Sequence, residues 1–311
     1  MSTWGIPYQG SKAKICEKVC ALFPKADNFY DLFGGGFSVT HFMLKHRSKD
    51  FKEFHFNEIR PGIPDLIQGA ITGKYNYNVY SPPWISRDDF LRLKEVDPIV
   101  KIIWSFANNG RSYLFGKDIE QDKKSMHMAV VFNEFDGFAK KVFGMEKFRD
   151  GFGINEKRLF LKNRIRLLGK DRLDLQQLQR LEQLEQLQRL ERLQQLQQLE
   201  RLEQLQQLDL YNGSYESVEI KKNSVIYCDI PYQGTSDYGG GFSHSRFFDW
   251  ANEQTEPVFI SEYNVSDPRF KCISNFEKRS LINGNKDKTL IKTEKVYVNR
   301  AGYEKMMTGK S

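Results

Sequence analysis

The chain has 311 residues, is 40% hydrophobic and 28% charged, and carries 47 basic against 40 acidic side chains for a net charge of +7. That balance excludes a disordered, collagenous or disulfide-stapled chain and predicts a packed core of about two domains, with a basic surface suited to a polyanionic partner. No apolar run approaches the ~20 residues of a membrane helix, and Cys16, Cys20, Cys228 and Cys272 form no Cys-x-x-Cys pair, so neither a membrane span nor a metal site is expected and a reducing, cytoplasmic setting is.

The chain opens on a polar turn, "PYQGSK", and Ile15, Val19 and Leu22 then recur at helical spacing until Pro24. "NFYDLF" reads as a short buried strand, "GGGFSVTHFMLKH" as a turn feeding a helix, "FKEFHFNEI" as a second strand and "IPDLIQGAITG" as the next helix. This β-turn-α-β order is how a nucleotide-binding α/β sheet begins. From about Tyr80 to Lys170 the chain is richer in charge and aromatics, with helical stretches. Within it, "NEKRLFLKNRIRLLGK" interleaves Lys157, Arg158, Lys162, Arg164, Arg166 and Lys170 with Leu and Phe. The pattern fits an amphipathic helix whose basic face is either solvated or set against phosphates.

Residues 175–210 are a repeat. Leucine occupies every third position from Leu175 to Leu208, and almost all the fillers are Gln, Glu and Arg. These are good helix formers, so a helix is expected. A step of three is about 300° on an α-helix, so the leucine stripe winds around it and matches neither a coiled-coil seam nor a strand. A mostly helical arm, dispensable to the rest of the fold, is the expectation, with leucines that either pack against several surfaces or stay exposed and invite self-association. The α/β character then returns: "NSVIYCDIPY" reads as a strand, "GGGFSHSRFFDWANEQ" as a loop and helix, and "PVFISEY" and "LIKTEKVYVNR" as strands.

Three motifs fit one chemistry when taken together. "YDLFGGGFSV" places a glycine turn after a strand, where the backbone can approach a ligand. Glu58 ends the next strand, about twenty residues on, where an acid can bind ribose hydroxyls. Asp229-Ile230-Pro231-Tyr232 ends a strand of the second half. "YSPPW", with Ser81, is a competing match for this last motif, but it lacks the acid's charge.

In this order the motifs resemble those of the Dam-type DNA adenine methyltransferases, which use S-adenosylmethionine. The resemblance covers roughly residues 1–75 and 220–300. "PYQGSKAKI" resembles the family's N-terminal cofactor motif, through Tyr8 and Lys12. "DLFGGGFSV" resembles its Phe-x-Gly-x-Gly motif through Phe33 and Gly35, with Phe37 where the family has its last glycine. "FNEIRP" puts Glu58 in the acid's place, and "CDIPYQGT" resembles the Asp-Pro-Pro-Tyr motif with Ile230 for the first proline.

The resemblance implies a Rossmann-like α/β methyltransferase sheet formed by 1–82 and 212–311, interrupted by a largely helical target-recognition region at 83–174 and by the repeat. It implies that S-adenosylmethionine is held by Tyr8, Lys12, Phe33, Gly35, Glu58 and Asp229. It also implies transfer of a methyl group to adenine N6 in double-stranded DNA at Asp229, Ile230, Pro231 and Tyr232. Transfer to cytosine N4 and a catalytically impaired DNA-binding relative stay open as alternatives. Arg111, in the turn-rich "NNGRSYLFG", and Arg164 and Arg166 are the candidate DNA contacts. The Gly239-Gly240-Gly241 segment is a candidate lid.

Overall fold

The computed structural model describes residues 4–8, 10–168, 188–202, 207–233, 241–282 and 285–308. The chain forms two compact units. One comprises Met1–Ile6, Gly10–Gln68 and Arg201–Ser311, and the other Pro7–Gln9 and Gly69–Glu200. The unit boundaries thus fall near 68 and 200, where the sequence suggested 82 and 211.

The first unit is α/β. Its strands are β1 (Asn28–Asp31), β2 (Glu53–Asn57), β3 (Gln207–Tyr211), β4 (Ser224–Asp229), β5 (Val258–Glu262), β6 (Lys271–Ile282) and β7 (Asn285–Val298). They form one sheet in the order β3-β2-β1-β4-β5-β7-β6. β3, β2, β1, β4 and β5 run parallel to one another, and β7 runs antiparallel to both β5 and β6. Two strands, β2 and β3, step outward from β1 to one side before the chain restarts at β4 on the other. The strand order therefore reverses between β1 and β4, a switch point compatible with a Rossmann-like sheet.

The central strands read as near-continuous apolar runs because both of their faces are covered. Every residue of β1 is buried, as are Ser224–Cys228 of β4. In one phase of the pleat, Ile226, Cys228, Ile230, Val258 and Ile260 pack with Phe247, Phe248 and Ala251 of the helix α10 (His244–Glu253). In the other phase, Phe29, Tyr227 and Phe259 gather around Phe23, with ring centroids 5.0–5.6 Å apart. The remaining helices of the first half are α1 (Cys16–Cys20), α2 (Ser38–His46) and α3 (Ile63–Ile71), and α11 (Arg300–Thr308) closes the chain.

Two strands depart from the sequence reading. β3 lies at the end of the leucine repeat, within the stretch expected to be helical. There the triplet breaks, and Leu208-Asp209-Leu210-Tyr211 alternates with the period of a strand. It pairs with β2 from Glu53 opposite Gln207 to Asn57 opposite Tyr211. β6 was not anticipated, because "KCISNFEKRSLI" at a sheet edge is half polar.

The second unit is helical among its described residues: α4 (Arg87–Leu93), α5 (Pro98–Ile103), α6 (Glu120–His127), α7 (Gly137–Phe143), α8 (Ile154–Leu168) and α9 (Gln188–Gln197). The side chains of Ser86, Asp97 and Asp136 cap α4, α5 and α7, and Pro98 opens α5, where its missing N–H is no loss. A short 3₁₀ turn, Gln198–Leu202, continues α9. No helix of the described residues is long and apolar enough to cross a membrane.

The repeat is not an exposed arm where it is described. Leu190, Leu193, Leu196 and Leu199 are all buried, none more than 1% exposed. On a pure α-helix these four would sweep about 180°. The unit accommodates them by surrounding α9 broadly, and the 3₁₀ turn realigns the step of three at its end. The polar fillers are used as well. Arg192 donates to the carbonyls of Ile103 (2.7 Å) and Ser105 (2.8 Å). Gln197 donates to the carbonyl of Tyr75 (2.9 Å), and Glu200 accepts from Asn76 (2.8 Å). Leu190, Leu193, Leu196 and Leu199 are therefore not a surface for self-association. The leucines from 175 to 187 lie outside the described residues.

Candidate active site

The carboxyl ends of β1, β4 and β5 and the facing stretch of β7 form the candidate site. Cross-strand partners point to the same face of a sheet. Asp31 lies opposite Tyr227, Asp229 opposite Ser261, and Ser261 opposite Val296. With the period of two, Glu294 falls on the same face as Asp31 and Asp229, two residues from Val296 on β7.

Lys12, only 4% exposed, completes this face. Its ammonium lies 2.8 Å from Asp229 Oδ1 and 2.8 Å from Glu294 Oε1, and it donates to the Tyr232 hydroxyl. Burial pulls the ammonium's pKa down, but Asp229 and Glu294 together outweigh it and hold it above the ordinary lysine value. Burial raises the Tyr232 phenol, and Asp229 and Glu294 raise it further, so the group stays neutral. Asp229 is more accessible than the acid it shares Lys12 with: its side chain is 21% exposed against 0% for Glu294.

More carboxylates flank the cluster. Asp31 is fully buried; its Oδ2 accepts from the Thr40 hydroxyl at 2.7 Å, and its Oδ1 has no hydrogen-bond partner. Burial, opposed by the Thr40 bond and helped by the charge of Asp229, pushes the Asp31 carboxyl up to about 7. Burial also raises Glu262, which accepts from the N–H groups of Tyr263 (2.7 Å) and Gln233 (3.1 Å).

A raised carboxyl stabilises the fold only while it is protonated. The Asp31 contribution is complete below the unfolded value near 4 and is lost as pH rises through 7. Asp31→Asn is therefore expected to match the parent near pH 4 and to exceed it above pH 7, by at most ~4 kcal/mol for a shift of about three units. Denaturant midpoints measured from pH 4 to 9 check this; parallel curves for the two proteins would contradict it.

The glycine turn supports the site from below. A Cβ on Gly34 would lie 2.0 Å from the Phe56 ring, so only glycine fits there. The N–H of Gly35 donates to Glu58 Oε2 at 2.8 Å, and Glu58 Oε1 accepts from the N–H of Arg60 at 3.0 Å. Glu58 and the glycine turn are thus brought together. Phe37 holds φ +65°, the left-handed conformation a glycine would adopt there, and its buried ring packs on Phe56 with centroids 5.1 Å apart. Its turn therefore keeps the backbone form of a glycine, and ring burial offsets about 1–2 kcal/mol of left-handed strain.

The other expected residues are distributed as follows. Phe33 is half-buried in a cluster with Tyr215, Phe242 and Phe247. Ile230 is 2% exposed and packs into the core, which fixes the backbone at the position where a proline was expected. The Pro231 carbonyl accepts from His244 Nε2 at 2.7 Å. Tyr8 falls in the second unit and Ser81 is an exposed residue of that unit. Gly239 and Gly240 lie outside the described residues.

The candidate DNA contacts also separate. Arg111 is exposed in a turn closed by the bridge between Ser105 and Tyr113. Ala107, Asn108 and Gly110 in that turn all hold positive φ, and Phe106 beside them is 60% exposed. Arg164 is half-buried, with Nε sequestered from solvent. Arg166 lies on α8, and its side chain is outside the described residues. The expected single basic face of α8 is divided. Lys157 is buried over the Phe148 ring at 5.6 Å, and Arg158 pairs with Glu191 at 3.2 Å.

Sequence reasoning missed Asp31, Glu262 and Glu294. The available signal was an acid in the buried phase of an apolar strand, as in the alternation of Glu294, Val296 and Val298. No known protein-family model matches the chain, and no curated protein matches it.

Proposed function

We propose that the first unit binds S-adenosylmethionine and transfers its methyl group to the N6 amino group of adenine in double-stranded DNA. The observation that carries this reading is the charge at the switch point. A dinucleotide site uses the N–H groups of its glycine turn to cradle phosphate. Here the Gly35 N–H is taken by the Glu58 carboxylate. Around the same strand ends lie Asp31, Asp229, Glu262 and Glu294, with Lys12 as the buried cation among them. With Asp31 and Glu262 raised toward their neutral forms, Asp229 and Glu294 against the one Lys12 leave this end net negative, which disfavours phosphate and suits a nucleoside ligand that carries positive charge.

S-adenosylmethionine fits that donor set: its sulfonium and ammonium are cations, and it has no phosphate. Asp31 Oδ1 is a buried acceptor without a partner, and Asp229 and Glu58 are the other acceptors that would hold it. When bound, it supplies an electrophilic methyl group.

The residues of the chain then act on the nucleophile. An adenine amino nitrogen is weakly nucleophilic because its lone pair is delocalised into the ring. Asp229 accepts a hydrogen bond from one amino hydrogen and the Ile230 carbonyl accepts one from the other, which draws the nitrogen toward a tetrahedral form. Pro231 restricts its own φ, and its carbonyl is held by His244, so the turn stays aimed. Tyr232, neutral and tethered by Lys12, offers its ring to an unstacked base. The gain comes from positioning and preorganised charge. In the second unit, the exposed Phe106 and Arg111 on one strained turn pair an apolar ring with a cation, a combination suited to stacking and phosphate contact.

The test is to incubate the purified full chain with methyl-labelled S-adenosylmethionine and unmethylated genomic DNA and to digest the product to nucleosides. Label in N6-methyldeoxyadenosine is the expected result. Label in N4-methyldeoxycytidine would reassign the base, and no transfer with DNA binding intact would overturn the enzymatic reading.

A further inference from the structure

Lys12 sits between two carboxylates, and only one of them belongs to the motif that carries the proposed chemistry. Glu294, from the antiparallel strand β7, is fully buried and shares Lys12 with Asp229 at equal distance. A lysine paired with Asp229 alone would form a neutral pair and would quench the negative charge that Asp229 has to direct at an amino group. With Glu294 the set of Lys12, Asp229 and Glu294 carries a net charge of minus one.

We propose that Glu294 is the positioning residue of this site: it anchors Lys12 from behind and so keeps Asp229 both oriented and negative toward the substrate. The inference rests on the reading of Asp229 as the acceptor in methyl transfer. Three features support it. Glu294 is inaccessible, so it acts through Lys12 and touches no substrate. Lys12 is itself buried and has a second anchor when Asp229 turns to the substrate. The two carboxylates approach from β4 and β7, which are separated in the sheet by β5, so the lysine bridges two strands across the one between them. The titratable groups that face Lys12 are Asp229, Tyr232, Tyr263 and Glu294, with Tyr227 coupled to both acids. Among them Glu294 and Asp229 hold the ammonium protonated.

The experiment compares the full chain with Glu294→Gln and Glu294→Asp in two independent ways. The first follows the ¹³Cε resonance of Lys12, assigned with Lys12→Arg, through a pH titration. Glu294→Gln is expected to move the Lys12 titration to lower pH, with Glu294→Asp between it and the parent. The second is the pH profile of kcat for labelled methyl transfer. Glu294→Gln should lower kcat about tenfold or more and shift the alkaline limb downward in parallel, with partial recovery in Glu294→Asp. An unmoved Lys12 titration, or a lower kcat with an unmoved alkaline limb, would overturn the proposal and leave Glu294 as a packing residue. A shifted titration in a parent chain that transfers no methyl group would instead sustain the anchoring of Lys12 and overturn the methyltransferase reading.

Discussion

Asp229→Ala is expected to lower the rate of methyl transfer by about 10²–10³-fold, the loss typical of removing one charge-directed partner from a preorganised site. The fold should survive, because Lys12 keeps Glu294 and the Tyr232 hydroxyl. Breaking a buried pair destabilises strongly when it strands a charge, and here the second carboxylate prevents that. Single-turnover rates with labelled S-adenosylmethionine, read beside thermal midpoints, check both halves of the expectation. A fully active Asp229→Ala would sink the assignment of Asp229 and return attention to Ser81.

Deleting residues 188–200 is expected to abolish folding of the second unit. The deletion removes Leu190, Leu193, Leu196 and Leu199, all buried, together with the Arg192 bonds to two carbonyls. A single buried Leu→Ala substitution removes about 2–5 kcal/mol. Four such losses match or exceed the ~5–15 kcal/mol that holds a domain together. Limited proteolysis and circular dichroism of the deleted chain should show the second unit degraded and its helical signal reduced. A protease-resistant, fully helical deletion variant would mean that the repeat is an accessory after all. Leu193→Ala alone, still folded but weakened by about 2–5 kcal/mol, is the graded version of the same result.

The strands of the sheet core were legible because they are buried on both faces. β1, β4 and β5 read as short apolar runs, and an acid at the end of β4 stood out against them. β3 was not legible, because leucine and glutamine continue the repeat up to the point where the period changes from three to two. The repeat itself left burial and exposure open for a related reason. A winding stripe cannot be buried on one side, and the alternative of burial on nearly every side depends on partners distant in the sequence, such as Ile103 and Tyr75. The Asp229 motif and Glu58 could be found from short patterns. For Glu294 the alternation with Val296 and Val298 marks only a buried acid; its pairing with Lys12, far away in the chain, has no local sign. Asp31 carries no local sign of its raised pKa, which arises mainly from burial.

The central claim is that the switch-point carboxylates bind a cationic, phosphate-free nucleoside. Calorimetric titration of the full chain with S-adenosylmethionine, with NAD as the phosphate-bearing control, tests it most directly. The account predicts saturable binding of S-adenosylmethionine, no binding of NAD, and affinity weakened at least tenfold by Asp229→Asn. Binding of NAD in preference to S-adenosylmethionine, or an affinity for S-adenosylmethionine indifferent to Asp229→Asn, would contradict it.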